Sequence, residues 1–416
     1  MRVRFFPRKI AFLLLAVTFV IPALAQQPRK ESLLNGLKVV MFPDSSSDKV
    51  WVRIRVNYGA AFDPQGKEGL MSVLANNFFP TTAARDYFRD ELGGSLEIRT
   101  TYDYIEVDAS GKADGVVSML ETLSNGITAT VIDKDTTAQL KADLTTKIKQ
   151  LEAEPNYVAD NAAGQRLFGT FPYGRPVNGT EKSIKNIEVG DLIGAKQRFL
   201  TADNSTMTIA GNFQPQRVMP AVKRYFGGWN KADQKVPSTF RQPDAPQAAL
   251  LTVESPVAGQ FAIRVAMRGT ARSAADMAAA EIWERVIEGR LKARVPAEQS
   301  ANVSVRSDAY VLPGSIMIGF SGTKSDSATK VELNDLLPKV LADPITDAEF
   351  SSARATAASD WAKRPTEEFW LDADTYGTDP KGDRAALDTV TAAKVRDFAA
   401  WVSHEPMAMV LVNTPK

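Results

Sequence analysis

The chain runs through one order of elements twice, and this internal repeat constrains its fold more than any other feature of the 416 residues. In the first half, Leu37 to Phe42 reads as a strand, and Val50 to Tyr58, with apolar residues at alternate positions, as a half-buried one. A glycine-containing loop leads to a helical run from Gly69 to Phe79, in which Leu70, Val73, Leu74 and Phe78 recur at helical spacing. Beyond Gly93 and Gly94 two more strands are predicted, Ser95 to Thr101 and Tyr104 to Ala109. The second half returns the same order: strands Ala249 to Glu254 and Gln260 to Arg268, a helix from Ala278 to Leu291, then strands Val303 to Val305 and Ser315 to Phe320. Both halves also close alike. A helix from Asp191 to Leu200 precedes the strand Thr206 to Gly211, and a helix from Val390 to Val402 precedes the strand Met407 to Val412.

Two copies of such a unit predict an α+β fold of two homologous domains, each a mostly antiparallel sheet of about six strands packed with helices. The stretch 231–247, rich in Lys, Asp, Gln and Pro, reads as the linker between an N-terminal domain over 30–230 and a C-terminal one over 248–416. Fifty basic residues against forty-nine acidic ones leave no field to steer the chain toward nucleic acid. The chain has no cysteine and one histidine, His404, which excludes disulfides, thiolate metal sites and any mechanism needing two imidazoles. At the N-terminus, Arg2, Arg4, Arg8 and Lys9 precede an apolar run from Ile10 to Ile21, and Ala23-Leu24-Ala25 offers a cleavage site before Gln26. Residues 1–25 therefore read as a signal peptide, its apolar run shorter than the roughly 20 residues a membrane span needs. The expected location is the bacterial periplasm, with no membrane contact after cleavage.

Several strings, in order along the chain, resemble the pitrilysin/insulinase-type zinc peptidases, in their small-subunit, processing-peptidase-like branch. They are Leu34-Asn35-Gly36-Leu37, then Phe168-Gly169 with Pro172-Tyr173-Gly174-Arg175-Pro176-Val177 and Gly179-Thr180. Asn204 before the strand ending at Gly211, Tyr225-Phe226-Gly227-Gly228-Trp229, and Gly289-Arg290-Leu291 complete the set. Active members carry an inverted zinc motif, His-x-x-Glu-His, whose imidazoles share one helix face, and a glutamate on a later helix. The resemblance puts the two histidine positions on Ser72 and Asn76, the general base on Ala75 and the third ligand on Lys147. A secondary acidic position falls on Leu140.

Neutral Ser and Asn side chains beside an ammonium group make no credible zinc site. The resemblance thus implies a degenerate homologue with no catalytic residue and no cofactor of its own, inactive alone, zinc being expected only in an active partner. Zinc-free subunits of the family often lend an Arg and a Tyr seven residues apart to the substrate in trans; those positions fall near Pro296 and Val303, with Arg294 and Tyr310 as the nearby candidates. His404 reads as a loop residue, and Glu367/Glu368 as a solvated helix face. Trp51, Phe79, Trp229, Trp361 and Trp370 give a weak hint of partner surfaces. The expected function is that of a non-catalytic subunit of a heterodimeric periplasmic zinc metallopeptidase, closing the peptide-binding chamber of its homologous zinc-binding partner. The alternative is a stand-alone peptide-binding or scaffold protein of the cell envelope. The residues leave open a homodimer in place of the heterodimer.

Overall fold

The computed structural model describes residues 28–232, 236–237, 240–241, 243–272, 274–323 and 337–414. The signal-peptide segment, residues 1–25, lies outside the described residues. Strands β1 (Arg29–Ser32), β2 (Lys38–Pro43), β3 (Lys49–Val56), β4 (Ser95–Thr100), β5 (Ile105–Lys112) and β6 (Ser205–Gly211) form one sheet, in the order β1-β2-β6-β3-β5-β4. Strands β7 (Leu251–Glu254), β8 (Gln260–Arg268), β9 (Val303–Asp308), β10 (Ser315–Thr323) and β11 (Ala408–Asn413) form the second, in the order β7-β11-β8-β10-β9. Without β1 the two orders are the same. In each, the strand that closes the half sits inside the sheet and pairs parallel with the opening strand, as β2 with β6 and β7 with β11; the other pairs are antiparallel.

One face of each sheet carries its own helices. Val50, Val52, Ile54 and Val56 of β3 pack with Leu70, Val73 and Leu74, with Leu120 and Leu123, and with Leu140, Leu144 and Ile148. Phe261, Ile263, Val265 and Met267 of β8 pack likewise with Ile282, Trp283 and Val286, and with Phe398 and Val402. Each fully buried aliphatic side chain of this kind stabilises the fold by about 1.5–3 kcal/mol. Asp133 starts the long helix Lys134–Glu152 by accepting from Thr136 N, and a Thr346/Glu349 capping box starts Asp347–Ala362.

The other face of each sheet is covered by a helix of the opposite half. Helix Pro155–Phe168 lies on β8 and β11, where Ala159, Ala163 and Leu167 meet Ala262, Ala266, Ala408 and Val410 in a third core. Helix Thr366–Tyr376 lies on β2 and β6. The exchange is pinned by matching ion pairs. Arg264 of β8 donates to Asp160 at 2.5 Å, and Arg55 of β3 donates to Asp372 at 2.8 Å.

This exchange corrects two expectations. Strand β3 is not half-buried: Arg53 and Arg55, on its non-core face, are 8% and 2% exposed under the opposite helix. Glu367 is no solvated face either, being 9% exposed and bonded to Arg53 at 3.0 Å. Among the described residues the second sheet has five strands where about six were expected, since nothing takes the place of β1. The five aromatic residues noted above divide, most of them being core. Phe79, Trp229 and Trp361 are core residues, while Trp51 and Trp370 are partly covered. Within the linker, Tyr58 Oη donates to Val236 O at 3.0 Å and accepts from Val236 N at 2.9 Å, which stitches that segment to the first half. No helix among the described residues is long and apolar enough to cross a membrane.

Candidate functional site

The motif helix is Leu70–Asn76, and the chain around it is held by backbone contacts that few side chains would permit. Gly69, at its start, has φ +92°, and a Cβ there would lie 2.6 Å from Asn178 O. Asp63 supplies the cap, accepting from Gly69 N at 2.7 Å and Met71 N at 2.8 Å. The loop 172–180 closes over the helix. Ser72 Oγ donates to Val177 O at 2.9 Å, and Ser183 Oγ donates to Glu68 O at 2.8 Å. The glycine- and proline-rich loop string is therefore a clamp on the motif helix.

At the ligand positions the chemistry is that of a packed helix. Ser72 is 2% exposed and Ala75 lies in the first core. Asn76 Nδ2 donates to Ser72 O at 2.8 Å, so positions 72 and 76 do share a face. Helix Lys134–Glu152 packs against this helix; Leu140 is in the core, and Lys147 is exposed. A hydroxyl tied to a carbonyl, a methyl, a carboxamide bonded to its own backbone and an ammonium group do not fit a zinc ion. Among the described residues, no group of three or more His, Cys, Asp or Glu side chains is placed to hold a metal.

The second-half candidates lie apart in kind. Arg294 is exposed just past helix Ala274–Lys292. Tyr310 is built into the junction of the halves, its ring 5.2 Å from Tyr102 and 4.6 Å from Tyr173. Tyr173 Oη donates to Asp103 at 3.1 Å and accepts from Leu312 N at 3.2 Å, while Val311 N donates to Asp103 at 3.1 Å. The Tyr173 of the loop string thus doubles as a bridge between the halves, a role that no local pattern signals. Arg290, from the second-half string, is a fork: it donates to Glu349 at 2.7 and 2.9 Å and to the carbonyls of Val340 and Asp343. His404 ends helix Ala392–Ser403, where it is exposed, with Nδ1 2.7 Å from Ala400 O.

Three carboxyls missed by the sequence reading, Asp63 and Asp103 buried and Glu284 half-buried, set a pH dependence. Burial pushes Asp63 up to about 7, against the N–H donors of Met71 and Gly69. Burial likewise pushes Asp103 up to about 6 and, with Glu281 adding to it, Glu284 up to about 8. Each favours the folded state below its unfolded value, near 4, and loses that advantage as pH rises through the folded value. Two others run the opposite way. The Arg290 hydrogen bonds hold Glu349 down at about 2, and at Asp372 burial is outweighed by Arg55 and Arg272, which hold it down at about 2. Their contribution is present above the unfolded value and lost as pH falls toward 2. The thermal midpoint should peak between about pH 4 and 5. A scan from pH 3 to 9 checks this, and Glu284→Gln should flatten the limb between pH 5 and 8.

Comparison with known proteins meets this geometry. Residues 38–181 match the family model for insulinase (peptidase family M16), and residues 186–357 match that for the peptidase M16 inactive domain. An uncharacterized zinc protease of Mycobacterium bovis is 26% identical over 222 residues, covering 50% of this chain and 48% of the relative. The chain spans about half the length of the curated relatives it matches. A peptidase M16 inactive domain from Pseudomonas fluorescens superposes with a TM-score of 0.79 at 18% identity, covering 94% of this chain and 98% of that one. The periplasmic protease PqqL from Escherichia coli superposes with a TM-score of 0.70 at 12% identity, covering 94% of this chain but 48% of PqqL. With both halves matched in order, the second by the model for the inactive domain, the chain belongs to the insulinase family, peptidase family M16, as a degenerate member.

Proposed function

We propose that this chain is the zinc-free subunit of a two-chain periplasmic metallopeptidase, closing the peptide chamber of a homologous zinc-binding partner. One observation carries the reading: glycine turns and the clamping loop hold helix Leu70–Asn76 in place, while the four positions that the resemblance assigns to the zinc motif, Ser72, Ala75, Asn76 and Lys147, carry no zinc-binding side chain. The match to about half of PqqL supports the reading further, since one such unit is half of a longer protease chain there.

In this reading the chain contributes shape and peptide contact. Strand β4 is an outer edge of the first sheet, and a peptide can add to such an edge through main-chain hydrogen bonds. Arg294, being exposed, is the better placed of the two second-half candidates to reach a peptide held by the partner; Tyr310 is committed to the junction. Zinc belongs to the partner alone, and neither nucleic acid nor membrane takes part.

The test is co-expression with a homologous chain that carries an intact His-x-x-Glu-His, followed by size-exclusion chromatography and a peptide-cleavage assay. The expected outcome is a heterodimer whose hydrolysis exceeds that of the zinc-bearing chain alone by at least tenfold and is abolished by chelator. This chain alone should hydrolyse nothing and show no chelator-dependent change in thermal midpoint. Chelator-sensitive hydrolysis by this chain alone would sink the proposal. A zinc-bearing chain fully active without it would favour a stand-alone peptide-binding role.

A further inference from the structure

The two sheets differ in one respect that their common order makes conspicuous: β1 covers the outer edge of β2, and among the described residues no strand covers the corresponding edge of β7. The groove beside each edge is built alike. In the first half, Trp370, Ala373 and Asp374 of the exchanged helix face Val39 and Val40 across a cavity of about 290 Å³. In the second, Val158, Asn161 and Ala162, at the same i, i+3, i+4 spacing on the other exchanged helix, face Leu251 and Val253 across one of about 510 Å³. The smaller cavity is lined on one side by Lys30, Glu31 and Ser32 of β1. The larger one has no strand in that place. The pinning pairs, Arg55 with Asp372 and Arg264 with Asp160, put the two helices at the same level over their sheets.

We infer that the β7 edge is a docking site for an extended segment of a partner polypeptide, added antiparallel to β7 as β1 is added to β2. Among the described residues, no backbone hydrogen bond takes up the outward groups of that edge. Ser255 N donates to Asn413 O on the β11 side at 2.9 Å, so by strand alternation the N–H and C=O of Thr252 and Glu254 face outward. The side chains specify its chemistry. Val158, Ala162, Leu251 and Val253 offer apolar contact to every second residue of the incoming strand. Glu68 and Glu152 stand at the same groove, where the one cation in the lining, Arg175, donates to the carbonyls of Asp63 and Ala61. In the first half the inserted strand brings a cation to its groove, Lys30, which lies 4.0 Å over the Trp370 ring. The occupant is therefore a segment whose groove-facing side chains, every second residue along it, include both apolar and basic ones.

This inference does not rest on the peptidase-subunit reading, and it is tested on this chain alone. The probe is a short, end-capped, fluorescein-labelled peptide in which threonine fills every second position and valine and lysine share the others, so that valine and lysine lie on one face, followed by fluorescence anisotropy at low salt and by amide hydrogen exchange. The expected result is saturable binding with slowed exchange at residues 251–254. Thr252→Pro removes an outward donor at an edge position where proline is tolerated, and should weaken binding at least tenfold. Should that variant fail to fold, Glu68→Lys combined with Glu152→Lys keeps the test alive, and the same loss is expected. Unchanged affinity in the folded variants, or protection at another edge such as β4 with none at 251–254, would overturn the inference.

Discussion

Replacing Asp372 with alanine is expected to destabilise the protein by about 3–5 kcal/mol, the range for removing one partner from a buried charge network. The carboxylate accepts from Arg55 at 2.8 Å, Arg272 at 2.6 Å and Arg364 at 3.0 Å, and it is 6% exposed. Without it, Arg55 keeps Glu106 at 2.7 Å, but Arg272 loses the only carboxylate bonded to it among the described residues, and water cannot replace what the helix covers. The side chain also joins the halves, since it sits on helix Thr366–Tyr376 and Arg55 sits on β3. Urea unfolding of Asp372→Ala should therefore show a lowered midpoint in one cooperative transition. Arg55→Ala combined with Asp372→Ala should cost clearly less than the two single losses added together, because the pair shares its penalty. A loss below about 1 kcal/mol would class the network with exposed ion pairs and remove its role as the pin between halves.

The second large effect concerns metal. Introducing Ser72→His, Ala75→Glu, Asn76→His and Lys147→Glu together should create a zinc site in a chain that has none of the four groups. Positions 72 and 76 already share a helix face, as the Asn76 bond to Ser72 O shows, and helix Lys134–Glu152 packs beside them. The frame is thus expected to accept the ligands. Without metal the variant should be less stable than the parent, since a ring at position 72, 2% exposed and tied to Val177 O, overpacks the clamp by about 1–3 kcal/mol. Zinc should then reverse the loss, adding about 2.7 kcal/mol at a hundredfold excess over its dissociation constant. Thermal melts with and without zinc read both changes. A midpoint unmoved by zinc would mean that the clamping loop has closed over the site and that the frame, with its ligands, has been lost.

How much of this was legible in the sequence depends on which forces act locally. The element order was readable because apolar periodicity reports the face that a strand or helix turns to its own core, as in Val50, Val52 and Ile54 or Leu140, Leu144 and Ile148. Strand β1 was not readable: Arg-Lys-Glu-Ser has no apolar alternation, and it pairs only through its backbone with β2. The helix exchange was not readable either. Arg53 and Arg55 look like the solvent side of a strand, and the partners on the covering helix, Glu367 and Asp372, lie more than three hundred residues away. Asp63 and Asp103 share that limit, since their raised values come from burial that the complete fold supplies.

The helix exchange also bears on the order in which the chain can complete itself. The first sheet exposes its arginine-bearing face until residues 366–376 have been made and delivered, and helix Pro155–Phe168 has no seat until β8 and β11 exist. Because β11 is the last strand among the described residues, final assembly must wait for residues 408–413. Such long-range closure makes folding slow and leaves half-built surfaces open in the meantime. A chain built this way stays unfinished until the closing strand of its second half has been made, and it calls for chaperoning until then.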